Sequence, residues 1–209
     1  MYGIGIKFEF EVKCDYSEPN RYVHIYQGQI FGKDDSDTDH ESNSESDVRL
    51  GEVEVYLVTY GRIINERSSL FEAMDAASSE TMECYEAIID QETNNWKEEV
   101  QSLIGEDGLV MYDILLINRL ELNERYRGKG IGAQVALEVI KALGSNCAVI
   151  ACKPFPLQYR GSGEPEHAKD RAVPGYEQKR RVAFRKVSAF WKKVGFKKLP
   201  SSDHCIWVQ

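Results

Sequence analysis

The sequence predicts a mixed α/β (α+β) fold: a central mixed β-sheet with helices on both faces and extra strands on its N-terminal side. Three observations carry this. Ile4, Ile6, Phe8, Phe10 and Val12 alternate with Gly5, Lys7, Glu9 and Glu11, the period of a half-buried strand. Residues 109–122 are apolar on both faces, as in a strand at the centre of a sheet. A glycine-rich turn then opens an amphipathic helix carrying Ile131, Val135, Val139, Ile140 and Leu143, which Gly144 ends before a short apolar strand, 148–152. Strand, turn, helix and strand make a parallel crossover.

The remaining elements follow in order. Residues 22–31 form a less regular strand candidate, and 52–59 alternate again around Val53, Val55 and Leu57. Three strands therefore precede any helix. Ser68 or Ser69 suits the cap of a short helix carrying Leu70, Phe71, Met74 and Ala77. A longer helix is expected next, because Met82, Tyr85, Ile89, Trp96, Val100 and Leu103 fall on one stripe until Gly105 and Gly108. Residues 153–177, with four Pro and three Gly, read as a long loop near the end of the buried strand. A last helix, 178–194, is expected to bury Val182, Phe184, Val187, Phe190, Trp191 and Val194. Gly195 caps it, and short strands 196–199 and 205–208 close the chain. The 209 residues read as a single domain.

Composition excludes several classes. With 42% hydrophobic and 29% charged residues the chain is neither disordered nor fibrous. No apolar run reaches the roughly 18 residues of a membrane span, and the N-terminus alternates where a secretory signal would be basic and then apolar. Five cysteines without CxxC spacing suit reduced thiols, so a cytoplasmic setting is expected. His204 and Cys205 point to opposite faces of a strand, and no metal site is expected. The net charge of −8 argues against nucleic acid as a partner, yet it is unevenly spread. Residues 153–198 hold thirteen Lys and Arg against four Asp and Glu, whereas 33–47 hold seven acids and one lysine. The acidic stretch, 33–48, reads as a flexible solvated loop. Whether a second copy of the chain is a partner stays open.

The turn Arg127-Gly128-Lys129-Gly130-Ile131-Gly132 carries the chemistry. Its glycines let the backbone bend and leave N–H groups unobstructed at a helix N-terminus, which favours phosphate oxygens. Arg127 and Lys129 add full charges. The turn lacks the GK[ST] ending of a P-loop.

This segment resembles motif A of the GCN5-related N-acetyltransferase (GNAT) superfamily, an Arg or Gln followed at fixed spacing by two small residues, here Arg127, Gly130 and Gly132. The strand ending Leu120-Glu121-Leu122 precedes it at the family's spacing, and Phe190-Trp191-Lys192-Lys193-Val194-Gly195-Phe196 is similar to motif B. The resemblance covers about Tyr112 to Phe196. It implies a GNAT-like sheet and an acetyl-CoA or other acyl-CoA ligand. Backbone groups of Leu120, Glu121 and Leu122 would pair with the pantetheine arm, and N–H groups of Arg127, Gly128, Lys129, Gly130, Ile131 and Gly132 would hold the pyrophosphate. The thioester would lie between the two parallel strand ends, near Leu120 and Cys152, for direct transfer to an amine. Motif B commonly offers a tyrosine acid, whereas Trp191 stands in its place.

Candidate residues follow from this placement. Glu121 could act as general base or lie in a salt bridge with Arg125 or a lysine of the last helix. Asp113 is a second carboxylate eight residues earlier. Tyr126 should pack under the turn. Tyr159 and Tyr176 could supply the missing acid. Cys152 could accept an acyl group or simply pack. Asp75, Ser78 and Ser79 could border the acceptor, or Ser79 could cap a helix with Asp75 solvated. Lys179, Arg180, Arg181, Arg185 and Lys186 could reach a 3′-phosphate or a nucleic-acid backbone, or form a solvated face. The expected function is N-acyl transfer to a primary amine of a small molecule or protein. The alternatives are an acyl-CoA-binding regulatory module and a toxin-type enzyme acting on aminoacyl-tRNA.

Overall fold

A computed structural model describes residues 4–9, 21–32, 48–105, 111–159 and 174–208. Three strands come first, β1 (Ile4–Glu9), β2 (Val23–Gly32) and β3 (Val48–Val58). Helices α1 (Tyr60–Glu66), α2 (Leu70–Asp75) and α3 (Ser79–Ile88) follow. A two-residue hairpin, β4 (Ile89–Asp90) and β5 (Asn95–Trp96), leads to α4 (Glu98–Ile104). The chain then forms β6 (Asp113–Leu122), α5 (Ile131–Leu143), β7 (Cys147–Cys152), α6 (Tyr176–Val194), β8 (Phe196–Lys198) and β9 (Cys205–Trp207).

Seven strands make one sheet in the order β1-β2-β3-β6-β7-β9-β8. Every neighbouring pair is antiparallel except β6 and β7, which run parallel. Each face of the sheet has its own core. Tyr56, Val58, Ile114, Leu116, Val149, Ala151 and Ile206 pack against α1–α4. Val53, Val55, Leu115, Ile117, Ile150 and Cys152 pack against α5 and α6. The mixed fold with helices on both faces and extra N-terminal strands is thus present. No helix among the described residues is long and apolar enough to cross a membrane.

Several expectations need correction. The single helix expected after Ser79 is two helices, because the chain turns back at Ile89–Trp96. There the Asp90 carboxylate accepts from the N–H groups of Glu92 and Thr93 at 2.9 and 3.0 Å, and Asn94 takes a positive φ of 54°. The apolar stripe ran on through the turn because both helices face the same core. Ser78, not Ser79, caps α3, in a reciprocal box with Thr81. The central strand starts at Asp113, and α6 begins two residues early at Tyr176 and leaves Val182 39% exposed. Val48 belongs to β3, while the rest of the acidic segment, residues 33–47, and residues 160–173 of the long loop lie outside the described residues.

One irregularity determines where the sheet opens. Glu54 pairs with Arg119 but Val55 pairs with Ile117, so Asn118 is an extra residue in β6. Before it, even-numbered residues of β6 face α1–α4; after it, Leu120 and Leu122 face α5 and α6. The bulge exchanges the two faces of the strand midway.

Candidate functional site

The parallel pairing of β6 with β7 ends at Ile117 and Cys152. Beyond it β7 meets Pro154 and Pro156, which cannot donate to a ladder, and the chain leaves the sheet. β6 continues from Asn118 to Leu122 with β3 on one side only. The two strands therefore form a fork, and among the described residues the five from Asn118 to Leu122 pair with no second strand inside it.

That edge leads through a 3-10 turn, Glu124–Tyr126, to the glycines. Gly128 and Gly130 have φ of 78° and 83°, the left-handed region that glycine adopts without a Cβ penalty. A Cβ on either would meet nothing within 4 Å, so the space above them is open. Gly130 caps α5 without any side-chain hydrogen bond. Among the described residues, the N–H groups of Gly128, Lys129, Gly130, Ile131 and Gly132 find no partner. Free N–H groups at the positive end of a helix form a cradle for an anion. Gly132 has a second role: a Cβ there would lie 3.3 Å from the Phe190 ring, so glycine lets α6 approach α5.

The two cations of the turn both contact neighbouring groups of the chain. Arg127 folds back onto β6, donating from Nε to the Leu122 carbonyl at 2.8 Å. Lys129 lies over the Tyr126 ring at 5.7 Å. Tyr126 is buried beneath the turn, as its sequence position suggested.

On the α1–α4 side, the fork opens into a cavity of about 200 Å³. Its walls come from the start of α3 (Ser79, Glu80, Glu83), from Leu116 and Asn118, from Lys153, Phe155 and Leu157, and from His204. Lys153 pairs with Glu83 at 2.5 Å. Asn118 donates to Glu54 Oε1 at 2.6 Å, and the buried Tyr56 hydroxyl donates to the same oxygen at 3.4 Å. Burial and then the Glu54 charge push the Tyr56 hydroxyl up, so it keeps its proton. His204 is only 4% exposed, and its ring makes no hydrogen bond among the described residues. Burial, reinforced by the Lys153 ammonium, pulls its pKa down to about 4. It is a neutral imidazole at pH 7, able to accept a proton or a hydrogen bond from what enters the cavity.

The other sequence candidates fall on and off this fork. Leu120, Glu121 and Leu122 lie on the open edge. Glu121 is tied to Arg119 at 2.6 Å and faces Arg127 at 3.8 Å, not Arg125 or a lysine of α6. Asp113 sits at the opposite end of β6, roughly 23 Å of strand away from Leu120, where it accepts from the Gly61 N–H at 3.1 Å. Tyr159 and Tyr176 stack edge to face at 5.4 Å, and neither lines the cavity. The Tyr176 hydroxyl is buried and has no hydrogen-bond partner among the described residues. Trp191 is 6% exposed and packs between Phe190 and Phe196, a core residue. Asp75 is exposed. Lys179, Arg181, Arg185 and Lys186 are exposed on α6, while Arg180 lies over Phe184 at 5.1 Å and 3.8 Å from Glu177.

Sequence reasoning missed Glu83, Asn118, Lys153 and the cavity-facing role of His204. Their only local signal is that His204 precedes a strand whose next residue, Cys205, faces the other core. No three His, Cys, Asp or Glu side chains cluster as metal ligands among the described residues. Comparisons with protein families, curated proteins and solved structures find no match.

Proposed function

We propose that the chain is an acyl-CoA-dependent N-acyltransferase of the GCN5-related kind, with acetyl-CoA as its acyl donor and a primary amine as acceptor. One observation carries the reading: among the described residues, a strand edge with no second strand beside it runs directly into a cradle of five N–H groups without partners at a helix N-terminus. A pantetheine arm is an extended chain of amides, which an open strand edge can pair as an added strand. The pyrophosphate at its end is an anion, which the cradle suits. Arg127 would have to release the Leu122 carbonyl for the arm to extend that far along the edge.

The cavity on the other side of the fork would take the acceptor. His204, neutral and without a ring partner, would accept a hydrogen bond from the attacking amine as its proton leaves. Glu83 would attract the amine while still an ammonium, in competition with Lys153. N–H groups at the open edge near Leu120 would stabilise the developing oxyanion.

Trp191 favours a second reading, an acyl-CoA-binding module without turnover, because its buried ring brings no acid to the fork. Calorimetry with acetyl-CoA, followed by thiol release across a panel of amines, separates the readings. Binding with release supports the enzyme, binding without release supports the module, and no binding at millimolar acetyl-CoA overturns both.

A further inference from the structure

Cys152 and Cys205 are directly opposed in the antiparallel pair of β7 and β9. Opposed residues of such a pair have Cα atoms about 4.5 or 5.5 Å apart, inside the range of about 4.4–6.8 Å that a disulfide spans. Both side chains belong to the α5–α6 core, and each thiol shifts the other's titration. Their surroundings differ. Cys152 is fully buried, whereas Cys205 reaches the wall of a cavity of about 630 Å³ between α6 and β8. Lys192, Lys197 and Lys198 stand around that cavity, with Phe184 and Phe196 as apolar wall and Asp203 paired to Lys198 at 3.0 Å. The neighbouring Cys152 thiol, helped by Lys198, holds the Cys205 thiol below its ordinary pKa. Burial pushes Cys84 and Cys147 up to about 12, and neither lines this cavity.

We propose that Cys152 and Cys205 form a dithiol oxidised to a disulfide by anionic small-molecule disulfides, the carboxylate-bearing class to which oxidised glutathione belongs, which enter through the lysine-lined cavity. The Cys205 thiolate attacks one sulfur of the reagent, its S–S bond breaks, and the first thiol departs with a proton. Cys152 then gives up its proton and attacks Cys205 in the mixed disulfide, and the second thiol departs into the cavity. Two protein thiols are oxidised, one disulfide is reduced to two thiols, and both protons leave with them. Cys205 lies between its partner thiol and the open cavity, so the resolving attack and the departure can be in line. The inference is independent of the acyl-transfer reading. It places a covalent clamp on the last residue of β7, where the fork begins.

The test is incubation of the full chain with oxidised glutathione, then peptide mapping by mass spectrometry. The expected result is a Cys152–Cys205 linkage with loss of two hydrogen masses, while Cys84 and Cys147 stay free. In Cys152→Ser the mixed disulfide cannot be resolved, and one glutathione should remain on Cys205. Lys192→Glu with Lys197→Glu should slow reaction with oxidised glutathione several-fold while leaving the cationic disulfide cystamine as fast or faster. Unmodified Cys205 in the folded wild-type chain, or a linkage through Cys14, Cys84 or Cys147, would overturn the proposal. Equal slowing of both reagents would overturn the anionic class. Should Cys152→Ser fail to fold, the wild-type linkage map decides alone.

Discussion

The two halves of β6 belong to one strand and have opposite fates. From Ile114 to Ile117 it has a strand on either side, and each residue is at most 2% exposed. From Asn118 to Glu121 it is half-buried and bonded on one side only. Two local causes separate the halves: the bulge at Asn118, and the prolines that take β7 out of the sheet. The first half holds the sheet together, and under the proposed reading the second would hold the ligand, because only backbone groups that the fold leaves unpaired are available to bind something else.

The largest effect should come from the paired half. Leu115→Ala empties a site in the middle of the second core, and its cost should be about 2–5 kcal/mol in urea unfolding. Leu120→Ala, at a half-buried side chain packed against the second core, should cost less than half as much. Equal losses would mean that the open edge is packed as tightly as the closed half.

A second contrast lies in titration at the fork. His204 has an ordinary pKa of 6.5 and is near 4 in the folded chain. The unfolded chain therefore binds a proton that the folded chain rejects. Stability is intact above pH 6.5 and falls as pH drops toward 4, by up to about 3 kcal/mol from this group. His204→Gln should remove that part of the acid sensitivity, measured as unfolding free energy at pH 7 and pH 4.5. Identical pH dependence in both proteins would mean that the imidazole is not held neutral.

Gly130→Asp should separate binding from folding. The side chain enters open space but places a negative charge against the N–H groups of the turn, so acetyl-CoA binding should be lost, while the positive φ of 83° costs the unliganded chain only about 1 kcal/mol of stability. The stabilisation otherwise expected at a hundredfold excess over Kd, about 2.7 kcal/mol, should vanish with it. A thermal-shift titration retaining the full shift would place the phosphates elsewhere. The smallest effect is expected for Ser78→Ala. Loss of the cap at the start of α3 should cost about 1 kcal/mol and loosen the cavity wall that holds Glu80 and Glu83. Unfolding and acceptor KM should both move, while acetyl-CoA affinity stays fixed.

Much of the frame is readable from periodicity: β3, α5, β7 and α6 each follow an apolar pattern that one or both cores then use. The helix at Tyr60–Glu66 was not readable, because it buries only Ile63 and carries Gly61 in its first turn. The cradle was legible, since glycines at a strand-to-helix turn are a local signal. The cavity was not. His204, Glu83, Lys153 and Asn118 come from four separate elements, and their meeting depends on β9 pairing with β7 and on a one-residue bulge that alternation cannot reveal. Glu121 lies on the edge with Arg119 as its partner, two residues away on the same face of the strand, whereas the sequence suggests Arg125 or a lysine of the last helix.

An unpaired strand edge is ordinarily an aggregation hazard, since any exposed strand can add to it. Here the edge lies within the sheet, and β7 occupies the lane beside it as far as Cys152. A neighbouring molecule's sheet would have to overlap β7 and the chain leaving it, whereas one thin extended chain can enter from the open end. Under the proposed acyl-CoA reading the fork would work as a width filter, admitting a single amide-bearing thread and refusing a whole strand with its neighbours, which would protect this edge without the lysines or prolines that usually do so.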